Sequence, residues 1–156
     1  MSDSQENTSQ AEEICEQLRN KKLLVVNPRR KNGLIIYKKY HAEFAGPGAV
    51  AGSSFDLDVK LVIPVGNLSL ITPKNSQERQ RAYLIRRQWV RLTKQITDSP
   101  EPKQRAKMVI NQFEHYFGSE IICTIPDEAF ARLVGVLPQT VAQMRDDEER
   151  KGLVLS

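Results

Sequence analysis

Near the carboxy terminus, Gln139, Thr140 and Gln143 are side chains of the kinds that read nucleic acid. A glutamine amide can offer adenine a donor and an acceptor together, and a threonine can bond a phosphate or touch a thymine methyl. Gln139 and Gln143 stand four residues apart, which puts them on one side of a helix. Catalysis is the competing chemistry, and it needs a nucleophile, a base and an orienting group at one point. The chain has two histidines, His41 and His115, each in a stretch that reads as surface. It has no GxSxG, P-loop or HExxH pattern, and the segment Gly46-Pro47-Gly48 lacks the Lys and Ser or Thr of a phosphate cradle. No catalytic residue is assigned, and no enzymatic activity is expected. The two cysteines, Cys15 and Cys123, have no metal-ligand spacing, so both are expected to be buried as small apolar residues. No metal or cofactor is expected.

For Gln139 and Gln143 to enter a DNA groove, their helix must cross a preceding short helix closely. Close crossing asks for a small residue in the first helix, a glycine in the turn and apolar residues facing inward from both. Residues Pro126–Val134 read as that first helix, with Ala131 as the small residue and Gly135 in the turn. Phe130, Leu133, Val134, Val136, Val141 and Met144 supply the inward set. Pro138 suits the first turn of the second helix, where its missing N–H finds no partner anyway. Arg145 and Glu148 fall at positions where inward apolar residues are expected, and Asp146–Glu149 make the end of that helix acidic. Upstream, Lys103–Phe117 shows Ala106, Val109, Ile110, Phe113 and Phe117 on one helical face, and Ile121–Thr124 is expected to be a short strand.

The segment from Ile125 to Met144 resembles the helix-turn-helix of the cyclic-AMP-receptor-protein class of bacterial transcription regulators. The likeness lies in the small residue, the Leu133-Val134-Gly135 turn and the Gln139-Thr140-Val141 start of the second helix, with Lys151-Gly-Leu-Val154 as an exit. It covers the carboxy-terminal third only, without a wing and without a nucleotide-binding domain. The resemblance implies that Gln139 and Gln143 read bases, that Thr140 touches the backbone, and that the helix before the motif pairs two subunits.

Other elements must carry this unit. Residues 1–10 are polar and are expected to be a disordered tail, and Ala11–Asn20 suits a short helix. In residues 11–73, the runs Leu23–Val26, Leu34–Tyr40, Phe55–Ile63 and Leu68–Thr72 predict a small antiparallel sheet of about four strands. Asn32-Gly33 predicts a hairpin between the first two, with Arg29, Arg30 and Lys31 at its tip, and Gly46–Ser54 reads as a loop. Residues 74–102 hold a long helix, started by Asn75 or Ser76 with Glu78, and a linker; Ala82, Ile85, Trp89, Leu92 and Ile96 form its apolar stripe. That stripe either packs on the sheet or pairs with a second copy, giving a homodimer. Residues 103–156 are the helix-turn-helix unit.

Charge is unevenly spread: residues 21–41 carry seven Lys and Arg and no acid, and residues 74–94 carry seven against Glu78 alone. Such blocks meet anions, most simply DNA phosphate, and Arg86, Arg87 and Arg91 are expected to steer the protein to it. The expectation is an α+β regulator in the cytoplasm that binds DNA and no membrane, since no stretch is apolar and long enough to span one. The alternative is a non-catalytic adaptor that docks on a protein partner through its basic hairpin and helix.

Overall fold

The computed structural model describes the backbone from Ser2 to Leu155 and the side chains of residues 10–147 and 149. The fold is α+β, with helix α1 (Ser2–Arg19) preceding six strands, β1 (Leu23–Val26), β2 (Asn32–Tyr37), β3 (Ala42–Ala45), β4 (Val50–Gly52), β5 (Leu61–Gly66) and β6 (Leu70–Ile71). Five helices follow: α2 (Ser76–Thr97), α3 (Pro102–Phe117), α4 (Ser119–Ile122), α5 (Asp127–Val134) and α6 (Pro138–Leu155). Helix α1 takes in nearly all of the opening segment expected as a tail. Residues 151–154, read as an exit from the second helix, and Glu148 lie outside the described side chains.

The strands form two antiparallel three-stranded sheets, ordered β4-β1-β6 and β3-β2-β5, rather than one. The expected hairpin is absent because β1 and β2 belong to different sheets. A two-residue Asn-Gly turn needs positive φ at both central residues, and neither Asn32 nor Gly33 has it; both open β2 as extended residues instead. The buried Asn32 amide donates to the carbonyls of Asn27 and Arg30, both at 3.0 Å, and its oxygen accepts from Ser69 N, also at 3.0 Å. The side chain thus closes the basic turn and ties it to the approach to β6.

All six residues of β2 are buried, because both faces of this strand are covered. Leu34 and Ile36 join Val26, Val62, Ile14 and Leu18 in a core under α1. Ile35 and Tyr37 face a second core with Val109, Phe113 and Phe130 of the carboxy-terminal helices. Phe44 on β3 joins the layers, with ring centroids 5.2 Å from Trp89 and 4.7 Å from Phe113. Gly33 leaves room for that ring, since a Cβ there would lie 2.4 Å from Phe44 Cζ.

Helix α2 begins where its cap predicts: Asn75 accepts from Glu78 N at 2.9 Å, and Glu78 accepts from Lys74 N at 2.7 Å. Its stripe packs on the sheets, with Ala82 against Val25 and Val50, and with Ile85 and Trp89 against the core under α1. A dimer seam built on that stripe would have to use Ala82, Ile85, Trp89 and Ile96, which are already packed within the chain. Two further expectations change. Ile121–Thr124 is not a strand, because a helical turn at Ser119–Ile122 is already in place, and Cys123 is exposed while Cys15 is buried.

Candidate nucleic-acid interface

Helix α5 ends because Gly135 is left-handed, with φ 69° and ψ 45°. That conformation is cheap for a residue without Cβ, and it lets Val136 N–H reach back to the Ala131 carbonyl at 3.1 Å. Residues 135–137 make the turn, and α6 restarts at Pro138, where Thr140 N–H donates to the Leu137 carbonyl at 3.0 Å. Phe130, Leu133, Val134 and Val141 are buried between the helices, with Val136 and Met144 packed beside them. Ala131 is 3% exposed, so a larger side chain there would meet its neighbours.

This packing leaves Gln139 and Gln143 exposed and Thr140 half-buried on the first turns of α6. The three residues share one element and one stretch of surface, as their spacing predicts. The arginines divide differently. Arg87 and Arg91 are exposed on α2, as are Arg29, Arg30 and Lys31 in the turn before β2. Arg86 is corrected: it is 0% exposed and cannot reach a phosphate. Its guanidinium grips Asp56, equally buried, through bonds of 3.0 and 2.8 Å, and donates to the Val50 carbonyl at 3.0 Å. Lys38, 3% exposed, completes the cluster at 3.1 Å from Asp56 and 2.6 Å from Asp58.

This cluster governs the titration of its acids. Burial alone would raise the Asp56 carboxyl, but the bonds and charge of Arg86, the Gly52 amide and Lys38 outweigh it and hold Asp56 below its ordinary 3.8. The Lys38 ammonium likewise lowers exposed Asp58.

Three arginines of the helical unit, none with a role predicted from sequence, are turned inward. Arg105 on α3 donates to the carbonyls of Val134 at 3.0 Å, Gly135 at 3.1 Å and Ser99 at 2.7 Å, and so clamps the turn itself. Arg145 occupies an inward position of α6: it donates to the Ile125 carbonyl at 2.7 Å, lies 3.1 Å from Asp127 and covers the Phe130 ring. Arg132 on α5 sits 4.8 Å above the Tyr37 ring and 3.2 Å from Glu128. Burial is the main reason the Tyr37 hydroxyl is pushed up to about 12; Glu128 adds to this, and Arg132 opposes it. The sequence held one clue, since Arg145 falls on the apolar face of its helix. The targets of Arg105 become visible only in three dimensions.

No family model, curated protein or solved structure matches this chain. Among the described residues, no helix is long and apolar enough to cross a membrane, and no group of three or more His, Cys, Asp or Glu side chains could hold a metal ion.

Proposed function

We propose that this protein is a DNA-binding transcription regulator of the cytoplasm whose recognition element is α6. One observation carries the reading: a left-handed Gly135 ends α5, and the next helix begins with Gln139 and Gln143 exposed above a buried Val141. A helix held this way can offer its first turns to a major groove, with the glutamine amides at base edges and Thr140 at the backbone. Exposed Arg87 and Arg91, with Arg29, Arg30 and Lys31, would supply the attraction to phosphate. In a homodimer reading two half-sites, the pairing surface would be a face other than the packed stripe of α2.

The test begins with selection of bound duplexes from a random-sequence pool, followed by mobility shifts on the enriched site. The double variant Gln139→Ala/Gln143→Ala is expected to lose sequence preference while keeping its far-ultraviolet spectrum, and binding of the parent should weaken steeply with salt. An unenriched pool, or a preference untouched by the double change, would overturn the assignment.

A second reading is a protein-docking adaptor, and a specific observation favours it. Arg105, Arg132 and Arg145 are engaged with carbonyls and carboxylates, while Asp146 and Glu149 are exposed farther along α6, where phosphate would be repelled. In this case Arg87→Glu/Arg91→Glu would release an acidic protein partner and leave DNA retention at its background level.

A further inference from the structure

The helical unit shares with the rest of the chain a groove of about 500 Å³ between β3, α2 and the end of α5. Its size falls in the range of small-molecule sites. Phe44, Val90, Ala131 and Val136 give it an apolar lining, and Lys94, Arg132 and His41 add polar groups from three different elements. Such a mixture, an apolar surface with a few convergent polar groups, is what orients a small ligand.

The charges select the ligand class. Glu43 also lines the groove, but its carboxylate already faces Arg86 at 3.6 Å, Lys38 at 3.9 Å and His41 at 3.4 Å. Arg132 is shared with Glu128 at the protein surface. Lys94 enters no ion pair among the described residues. The groove therefore presents an uncompensated positive charge beside apolar surface. The hydroxyls of Thr93 and Thr97 donate to helix carbonyls at 3.1 and 2.7 Å, so the charge of Lys94 and not these hydroxyls would hold an anion.

We propose that this groove binds a small organic carboxylate with an apolar body, its anionic head at Lys94 and its body against Val90, Phe44 and Val136. The groove also reaches Gly135, so an occupant would touch the turn that aims α6. That consequence, control of groove reading by a bound carboxylate, rests on the DNA-binding reading. The binding itself does not.

The test titrates the full chain with 1-naphthoate, and with neutral 1-naphthamide as the second arm, following backbone amide shifts by NMR. Naphthoate is expected to bind saturably, with shifts centred on Thr93, Lys94, Arg132 and Gly135. Naphthamide, and naphthoate added to Lys94→Glu, should bind at least about tenfold more weakly, a difference of roughly 1.4 kcal/mol. Val90→Trp, which fills the groove, should abolish the shifts, and Arg79→Glu, on α2 outside the groove, should leave them unchanged. Absent saturation, equal affinity for the amide, or indifference to Lys94→Glu would overturn the proposal. Lys94 is exposed, so its replacement tests the site even if the tryptophan variant fails to fold. None of these results depends on DNA, so a failed mobility shift and an empty groove remain separate outcomes.

Discussion

Arginine does different work in the two halves of this molecule. Where α2 packs on the sheets, Arg86 is fully buried and meets a fully buried carboxylate, Asp56. In the helical unit, Arg105 and Arg145 stay partly exposed and bond mainly to carbonyl oxygens at helix ends and in the turn. A carboxylate taken out of water depends on its partner for survival as an ion, whereas a carbonyl near the surface can fall back on water. Loss of the same residue type should therefore unfold one region and only loosen the other.

The largest effect is expected at the buried pair. Arg86→Ala leaves Asp56 enclosed with its main partner gone, which should cost about 3–5 kcal/mol in urea denaturation. Replacing both residues by apolar ones of similar size should recover much of that loss, and a double variant no better than the single would argue against this account. The pair also fixes a pH dependence. Asp56 titrates lower when folded than when unfolded, so its stabilisation is complete well above the ordinary 3.8 and is lost as pH falls through the lowered folded value. In Arg86→Ala, the acid limb of the stability profile should move to higher pH.

Arg105→Ala is expected to cost about 1.5–2 kcal/mol, the value of charge-assisted bonds discounted for partial exposure. The damage should stay local, with faster hydrogen exchange at Val136 and Thr140 and little change in β2. Arg105→Lys should restore only part of the stability, because an ammonium cannot fork between the carbonyls of Val134 and Gly135 as a guanidinium does. Loss of β2 protection to the same degree would erase the contrast between the halves.

What the sequence displayed and what it hid follow the same division. Helix α2 and the turn at Gly135 were legible because their signals are local: the Asn75 cap, the apolar spacing, a glycine and then Pro138. The two sheets were not, because a buried side-chain network overrides local turn preference where Asn32 enters β2. The alternation in Phe55–Ile63 misled for a related reason. Asp56 is 0% exposed and Leu57 is 48% exposed, so the inward residue is the charged one and the strand starts only at Leu61. Arg86 sits four residues after Ala82 and three before Trp89, on the buried face by spacing. Its charge concealed a position that its periodicity revealed. For the candidate recognition residues, local spacing placed Gln139, Thr140 and Gln143 on one surface, whereas the grips of Arg105 and Arg132 join segments far apart in the chain.

The smallest effect is expected at Gly135, one of two glycines that share one backbone angle. Gly66 in the sheet half and Gly135 in the helical turn both have φ 69°, but a Cβ at Gly66 would lie 2.6 Å from the Lys31 carbonyl oxygen, and one at Gly135 would have no neighbour within 4 Å. Gly135→Ala therefore carries only the conformational penalty of a left-handed alanine, about 1–2 kcal/mol. Gly66→Ala adds displacement of backbone at the junction of β5 with β2, so it should be the more costly by at least about 1 kcal/mol. Gly135→Asn should lose least, since asparagine tolerates this conformation. If alanine proves equally harmful at both positions, local backbone strain alone governs them; if Gly135→Ala is the worse, the turn is packed against something in solution that the isolated chain does not show.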